Sequence, residues 1–374
     1  MHKGVLWLLL AAGAAIGVFY LNAPKPYRGD EIVLGQSCAL SGPSAELGRG
    51  MMIGAQAWFA HLNAQGGVHG RKIRLLTLDD RYEPRLTEAN TRTFIEQKKV
   101  FALFGYVGTP TTQAVLPLIE THQIPLLAPL TGAGLFRTPS HPLVVNYRAG
   151  YKTEIELIAR KLKADGIKRV AVFYQNDSYG KTGLFAAREM LGKYGLLLVA
   201  EGSYNRNTLS VGHALYEIAP QAPEAVVMID AYKPGAEFIR RARAAGMDRT
   251  LFFHISFVNS DSLFEALEEP GMENVFVTQV VPPPWDSRYA PVAQYQKILA
   301  RYFPDEPYTF ASLEGFLSAQ RVGEGLQKCG PGLNTEAFLE ALQQLQPKNE
   351  NPEERVWLTA FQNGRMQTVQ GKTP

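Results

Sequence analysis

Cysteine is nearly absent: Cys38 and Cys329 are the only two in 374 residues. They stand too far apart for a short-loop disulfide framework, and whether they are joined is left open. No histidine stands at ligand spacing from either, so a structural zinc site is excluded and no metal is expected. One-sided charge is missing too. The 38 Lys and Arg are mixed evenly with 35 Asp and Glu, for a net charge of +3, which sets aside a nucleic-acid surface. The sequence contains no nucleophile elbow, Walker loop, HExxH or dinucleotide fingerprint. "GRGMMIG" lacks the strand-to-helix placement of three glycines that a nucleotide loop needs. Ser41, His61 and Asp79 have the chemistry of a triad, but nothing in the sequence brings them together. An enzyme is therefore the weak reading, and no cofactor is expected.

Long apolar runs are confined to the N-terminus, where Lys3 precedes an uncharged stretch from Gly4 to Pro24 and a polar spacer. That pattern is an export signal. Its core of about 17 apolar residues is at the lower limit for crossing a bilayer, so cleavage and retention as an anchor both fit. The small residues before a cleavage point are poor, with Leu21 and Ala23 flanking Asn22 and Pro24 following, which leans towards retention. No cysteine follows the run, which argues against a lipid anchor.

What is present is a rhythm. After Asp30, short apolar runs such as "EIVLGQS", "KIRLLTLDD", "VFALFGYV" and "IPLLAP" alternate with segments of helical spacing, including one continuous helix from Thr111 to His122. The runs are apolar on both faces, as in a parallel sheet covered by helices. From Tyr147 the rhythm repeats through "RVAVFYQ", "LLLVAEGSY", "AVVMID" and "TLFFHIS". Helices then occupy Pro291 to Tyr302, Phe310 to Gln327 and Thr335 to Leu345, and "VWLTAFQNGRMQTVQ" reads as a hairpin about Asn-Gly. The fold class is α/β, with two doubly wound lobes; the length also calls for two.

Ligands of open α/β sheets sit beyond the carboxyl ends of the strands, where helix N-termini present free N–H groups. Four strand-to-helix junctions carry small hydroxyl or glycine residues: "SCALSGPSAELG", "GYVGTPTTQ", "APLTGAG" and "YQNDSYGKTG". Each alone is ordinary turn and capping chemistry. Together, three from one lobe and one from the other, they favour a ligand cleft.

The order of "LSGPSAELGRGMMIGAQAWFAHLNAQGGVHGRKIRLLTLDD", "FALFGYVGTPTTQAVLPLIETHQIPLLAP" and "RVAVFYQNDSYGKTG" resembles the leucine/isoleucine/valine-binding family of extracytoplasmic solute-binding proteins. The resemblance runs from about Glu31 to the final hairpin. It implies a type I periplasmic binding protein fold of two α/β lobes joined by three crossovers, near Tyr147, Val275 to Pro284, and Glu353 to Trp357. Residues 1–29 would form the export segment or anchor with its linker, 30–146 and 280–354 the first lobe, and 147–279 and 355–374 the second. A periplasmic monomer, free or anchored through residues 4–24, would deliver a small-molecule solute to an inner-membrane ABC permease. A membrane-tethered sensor is the alternative.

The family holds its ligand carboxylate on first-lobe hydroxyls and N–H groups, which match Thr109, Leu130, Thr131 and Gly132, with Ser41 in the first junction. Tyr179 of the "YG" motif and Tyr151 would close over the ligand, and Tyr232 or Ala231 would supply a further contact. Acidic residues that pair with an amino-acid ammonium are replaced, in this alignment, by Lys152 and Ser256. Glu154 or Asp230 would supply the acid if the register differs by two. The resemblance therefore leaves two ligands open: an α-amino acid, or a carboxylate or apolar molecule without an ammonium.

Overall fold

The computed structural model describes residues 27–268, 271–345, 356–362 and 365–370. The apolar run of residues 4–24 and the Asn363-Gly364 turn lie outside the described residues. Among the described residues no helix is long and apolar enough to cross a membrane.

The first half of the chain gives β1 (Glu31–Cys38), α1 (Ala45–Ala64), β2 (Lys72–Asp79) and α2 (Pro84–Arg92), which runs into a π-helical turn at Thr93–Lys98. It continues with β3 (Ala102–Phe104), α3 (Thr109–Ala114), α4 (Leu116–His122), β4 (Leu126–Leu127) and β5 (Val144–Val145). These strands form a parallel sheet in the order β2-β1-β3-β4-β5. The expected helix from Thr111 to His122 is broken at Val115 into α3 and α4. Pro117 is the reason: it has no N–H to give, and its ring clashes with the carbonyl one turn back.

The second half alternates in the same way through α5 (Tyr151–Ala164), β6 (Arg169–Gln175), α6 (Ser178–Lys193), β7 (Leu197–Tyr204), α7 (Gly212–Ile218), β8 (Ala225–Ile229), α8 (Tyr232–Ala244), β9 (Leu251–His254), α9 (Ser260–Leu267) and β10 (Val275–Gln279). Helices α10 (Ala290–Tyr302), α11 (Phe310–Cys329) and α12 (Thr335–Gln344) follow, then β11 (Trp357–Gln362) and β12 (Arg365–Gln370). The second sheet has the order β12-β11-β10-β9-β8-β6-β7, with β11 antiparallel to both β10 and β12. β8, buried at every position, lies inside it, as its unbroken "AVVMI" requires.

Helix α11 returns to the first half and packs on α1. The backbones touch there: a Cβ on Gly54 would stand 1.8 Å from the Ser312 carbonyl oxygen, and one on Gly315 would stand 2.3 Å from that of Met51. Only glycine permits so close an approach. Cys38 is buried and Cys329 half-buried, and both thiols are free. Ser44 precedes α1, but its hydroxyl makes no capping bond.

Candidate functional site

The junctions after β3 and β4 lie side by side because Val107 bridges Leu130 in strand fashion. The Leu130 N–H donates to the Tyr106 carbonyl at 2.7 Å and the Gly108 N–H to the Leu130 carbonyl at 3.2 Å. This pairing brings the Thr109 and Thr131 hydroxyls to 2.7 Å from each other, both buried. Arg137 braces the second loop by donating to the Thr131 and Ala149 carbonyls. Burial, with Arg148 nearby, lowers its guanidinium to about 10.

Tyr151, the first residue of α5, arrives over these hydroxyls. Its N–H donates to the Gly132 carbonyl at 2.8 Å and its phenol to Thr131 at 3.4 Å. Gly132 is required here, since a Cβ would stand 2.4 Å from the Tyr151 ring. Tyr179 meets Tyr151 edge-on at 5.5 Å between centroids and lies 4.5 Å from Phe257. Its position follows from Asp177, whose carboxylate accepts the Tyr179 N–H at 3.0 Å and so caps the start of α6. The Tyr179 hydroxyl donates to the Asp230 carbonyl at 3.1 Å. Burial raises both phenols above their ordinary range, so they serve as neutral donors.

Beside the hydroxyls lies a buried ionic cluster. Arg148 donates to the Ser256 hydroxyl and stands 3.8 Å from Glu154 and 3.6 Å from Glu314 of α11. Glu154 accepts the Ser256 N–H at 2.8 Å and the Thr278 hydroxyl at 2.6 Å. Burial works against the Arg148 charge, but Glu314 and Glu154 outweigh it and hold the guanidinium above its usual value. Burial pushes the Glu314 carboxyl up despite Arg148. Leu130, Arg148, Ser256, Ser260, Gln279 and Glu314 line part of a small cavity of about 10 Å³, room for one water.

The structure thus gathers Thr109, Leu130, Thr131, Gly132, Tyr151, Tyr179 and Ser256 into one region. Three expected residues lie elsewhere. Ser41 is exposed, its hydroxyl 2.5 Å from Asp79; His61 instead bonds Gln65, so no triad forms. Lys152 points to solvent and pairs with Glu189 at 2.5 Å, because one step along α5 from the buried Tyr151 turns it outward. Tyr232 is half-buried against the separate core that includes Phe238 and Met228. Sequence reasoning missed Arg148, Glu314, Tyr82 and Phe257, and offered Glu154 only as an alternative to Lys152. Glu314 carried a signal: it interrupts the otherwise apolar and small "FASLEGFLSA". Arg148 carried a weaker one, at the crossover in "NYRAGY". Among the described residues no group of His, Cys, Asp and Glu forms a metal-ligand set.

The arrangement gathers hydroxyl donors and aromatic surface in one region. A family model described as periplasmic binding protein matches residues 31–368. An amino acid binding protein of Pseudomonas aeruginosa is 24% identical over 332 residues, covering 85% of this chain and 83% of its own. The crystal structure of a leucine/isoleucine/valine-binding protein candidate from Rhodopirellula baltica superposes with a TM-score of 0.84 at 30% identity, covering 91% of this chain and 96% of that one. A substrate-binding periplasmic protein from Ralstonia solanacearum gives 0.82 at 27% identity, covering 90% and 100%. Two sheets with helices on their faces, threaded by one chain and matched over nearly their whole length, place this protein in the periplasmic binding protein family, a family of solute-binding proteins and not of enzymes.

Proposed function

We propose that this protein captures a small extracytoplasmic solute between its two lobes and delivers it to an ABC permease of the inner membrane. The lobes are taken as residues 30–146 with 280–354, and 147–279 with 355–374. The observation that carries the reading is the paired Thr109 and Thr131 hydroxyls of one lobe lying beneath Tyr151 and Tyr179 of the other. Hydroxyl donors suit a carboxylate, and the rings suit an apolar body. Because the contacts come from both lobes, occupancy favours the closed arrangement, and affinity and closure are coupled.

The solute we favour is a carboxylate with an apolar body and no ammonium. Of the two acids the sequence offers, Asp230 is paired with His254 at 2.9 Å, and Glu154 already accepts two hydrogen bonds and faces Arg148, which is shared with Glu314. Two arginines, 137 and 148, balance two glutamates, 154 and 314, so neither ion meets surplus charge here, and the choice rests on the hydroxyl donors. One observation supports the amino-acid reading suggested by the names of the Pseudomonas and Rhodopirellula relatives. Glu154 Oε1 makes no hydrogen bond and could accept one from an ammonium.

Calorimetry with 4-methylpentanoate and L-leucine, which differ by the ammonium, separates the two. The acid is expected to bind at least tenfold tighter. Thr109→Val with Thr131→Val should remove roughly 3 kcal/mol or more from its binding, at about 1.5 to 3 per hydrogen bond to a charged group. Tighter leucine binding overturns the choice of solute, and unchanged affinity in the double variant overturns the site.

A further inference from the structure

Tyr82 follows β2 in a turn that its sequence does not favour. Arg81 and Tyr82 both have positive φ, 53° and 59°, in the left-handed region that side chains with a Cβ rarely enter. Two carboxylates hold the turn. Asp80 accepts the Tyr82 N–H at 2.9 Å together with the hydroxyls of Ser37 and Thr87, and Asp79 accepts the Arg81 N–H at 2.9 Å.

The result is a phenol placed between the lobes. Its ring is 1% exposed and stands 5.8 Å from Phe257, and its hydroxyl accepts from Gln175 at 3.2 Å. Arg206 lies over the ring at 5.8 Å while pairing with Glu83 of one lobe and Asp177 of the other. On the first-lobe side, Tyr82 Cε2 comes 2.2 Å from where a Cβ on Gly108 would be, and Gly108 has a φ of 103°. Gly108 immediately precedes Thr109, so the ring lies against the loop that carries the carboxylate donors. Backbone strain of this kind persists only where the surroundings over-determine it, and here they hold the ring between the Gly108 loop of one lobe and Phe257 of the other.

We propose that Tyr82 is a specificity-determining residue of the cleft, an end wall that limits how long an apolar body the solute can carry. The proposal rests on the reading that a solute carboxylate sits at Thr109 and Thr131.

The test is calorimetry of the full chain with straight-chain monocarboxylates from butanoate to decanoate, on wild type, Tyr82→Ala, Tyr82→Phe and the Thr109→Val/Thr131→Val double variant, with circular dichroism confirming each fold. In wild type, affinity is expected to rise with length and then drop at a cut-off. Tyr82→Ala should move that cut-off to longer acids, with at least a tenfold gain for the first acid that wild type rejects. Tyr82→Phe keeps the ring but loses the Gln175 bond, so it should weaken all acids alike and leave the cut-off in place. An unmoved cut-off in Tyr82→Ala, with binding lost in the double variant, overturns the end wall and leaves the site reading intact. Equal binding by the double variant overturns the site reading instead. If no acid binds wild type or Tyr82→Ala, the carboxylate reading and the end wall fall together, and capture of a solute of another class is then decided by a thermal-shift screen.

Discussion

Replacing Arg148 by methionine keeps most of the side-chain volume and removes the cation nearest Glu154 and Glu314. Arg148 is 2% exposed at its side chain, with Glu154 at 3.8 Å and Glu314 at 3.6 Å. A surface pair would contribute little, but here the loss leaves two carboxylates buried without their cation, which costs roughly 3 to 5 kcal/mol. For a chain of this size that lowers Tm by roughly 4 to 7 °C. The deficit has a definite pH dependence. Burial already raises Glu314, and without Arg148 it rises further. A carboxylate whose folded pKa exceeds its unfolded value of about 4.3 loses stability as pH rises through that folded value, and regains it as pH falls back. Urea unfolding of Arg148→Met should therefore show its full deficit at pH 8 and a smaller one at pH 5. Adding Glu314→Gln should recover part of the loss, since one buried charge is gone. A deficit below about 1 kcal/mol at pH 8, or one that does not change with pH, refutes the reasoning, because a desolvated ionic cluster cannot be so indifferent to its cation.

Gly132→Ala puts a methyl group 2.4 Å from the Tyr151 ring and 2.6 Å from its backbone nitrogen, so the helix start itself must move. A cost of about 1 to 3 kcal/mol in thermal unfolding is expected, with weaker solute binding; an unperturbed melt with full affinity counts against the packing described. Asp80→Asn tests the carboxylate behind the Tyr82 turn. Burial raises Asp80 to about 6, against hydrogen bonds from Ser37, the Tyr82 backbone and Thr87. Wild type should thus lose stability as pH rises from about 4 to 6, by up to roughly 3 kcal/mol from this group, and the variant should lack that part of the slope. Identical slopes in the two proteins would show that Asp80 does not titrate in this window.

The alternating rhythm was legible because strand and helix periods differ, and most elements fall where the apolar spacing puts them. The exception has a local cause: Pro117 splits the helix expected from Thr111 to His122. The hydroxyl loops at Thr109 and Thr131 were readable from their place after strands. Lys152 and Glu154, two positions apart on α5, face different ways because each residue turns a helix by about 100°, and a register open by two does not choose between them. Arg148, Glu154 and Glu314 come from a crossover, a second-lobe helix and a helix far along the chain, so only the tertiary structure brings them together. Tyr82 was hidden for another reason: left-handed φ at two residues that are not glycine has no compositional mark.

The contact between α1 and α11 has a consequence for how the molecule is made. Gly54 must wait for Ser312, which follows strands β6 to β10 of the second sheet in chain order. A nascent chain that has completed β10 still carries α1 with its glycine face uncovered, so the first lobe is closed only after five strands of the second sheet have been made, although its own strands are synthesised first. Long-range closure of this kind slows folding and exposes apolar surface on the way.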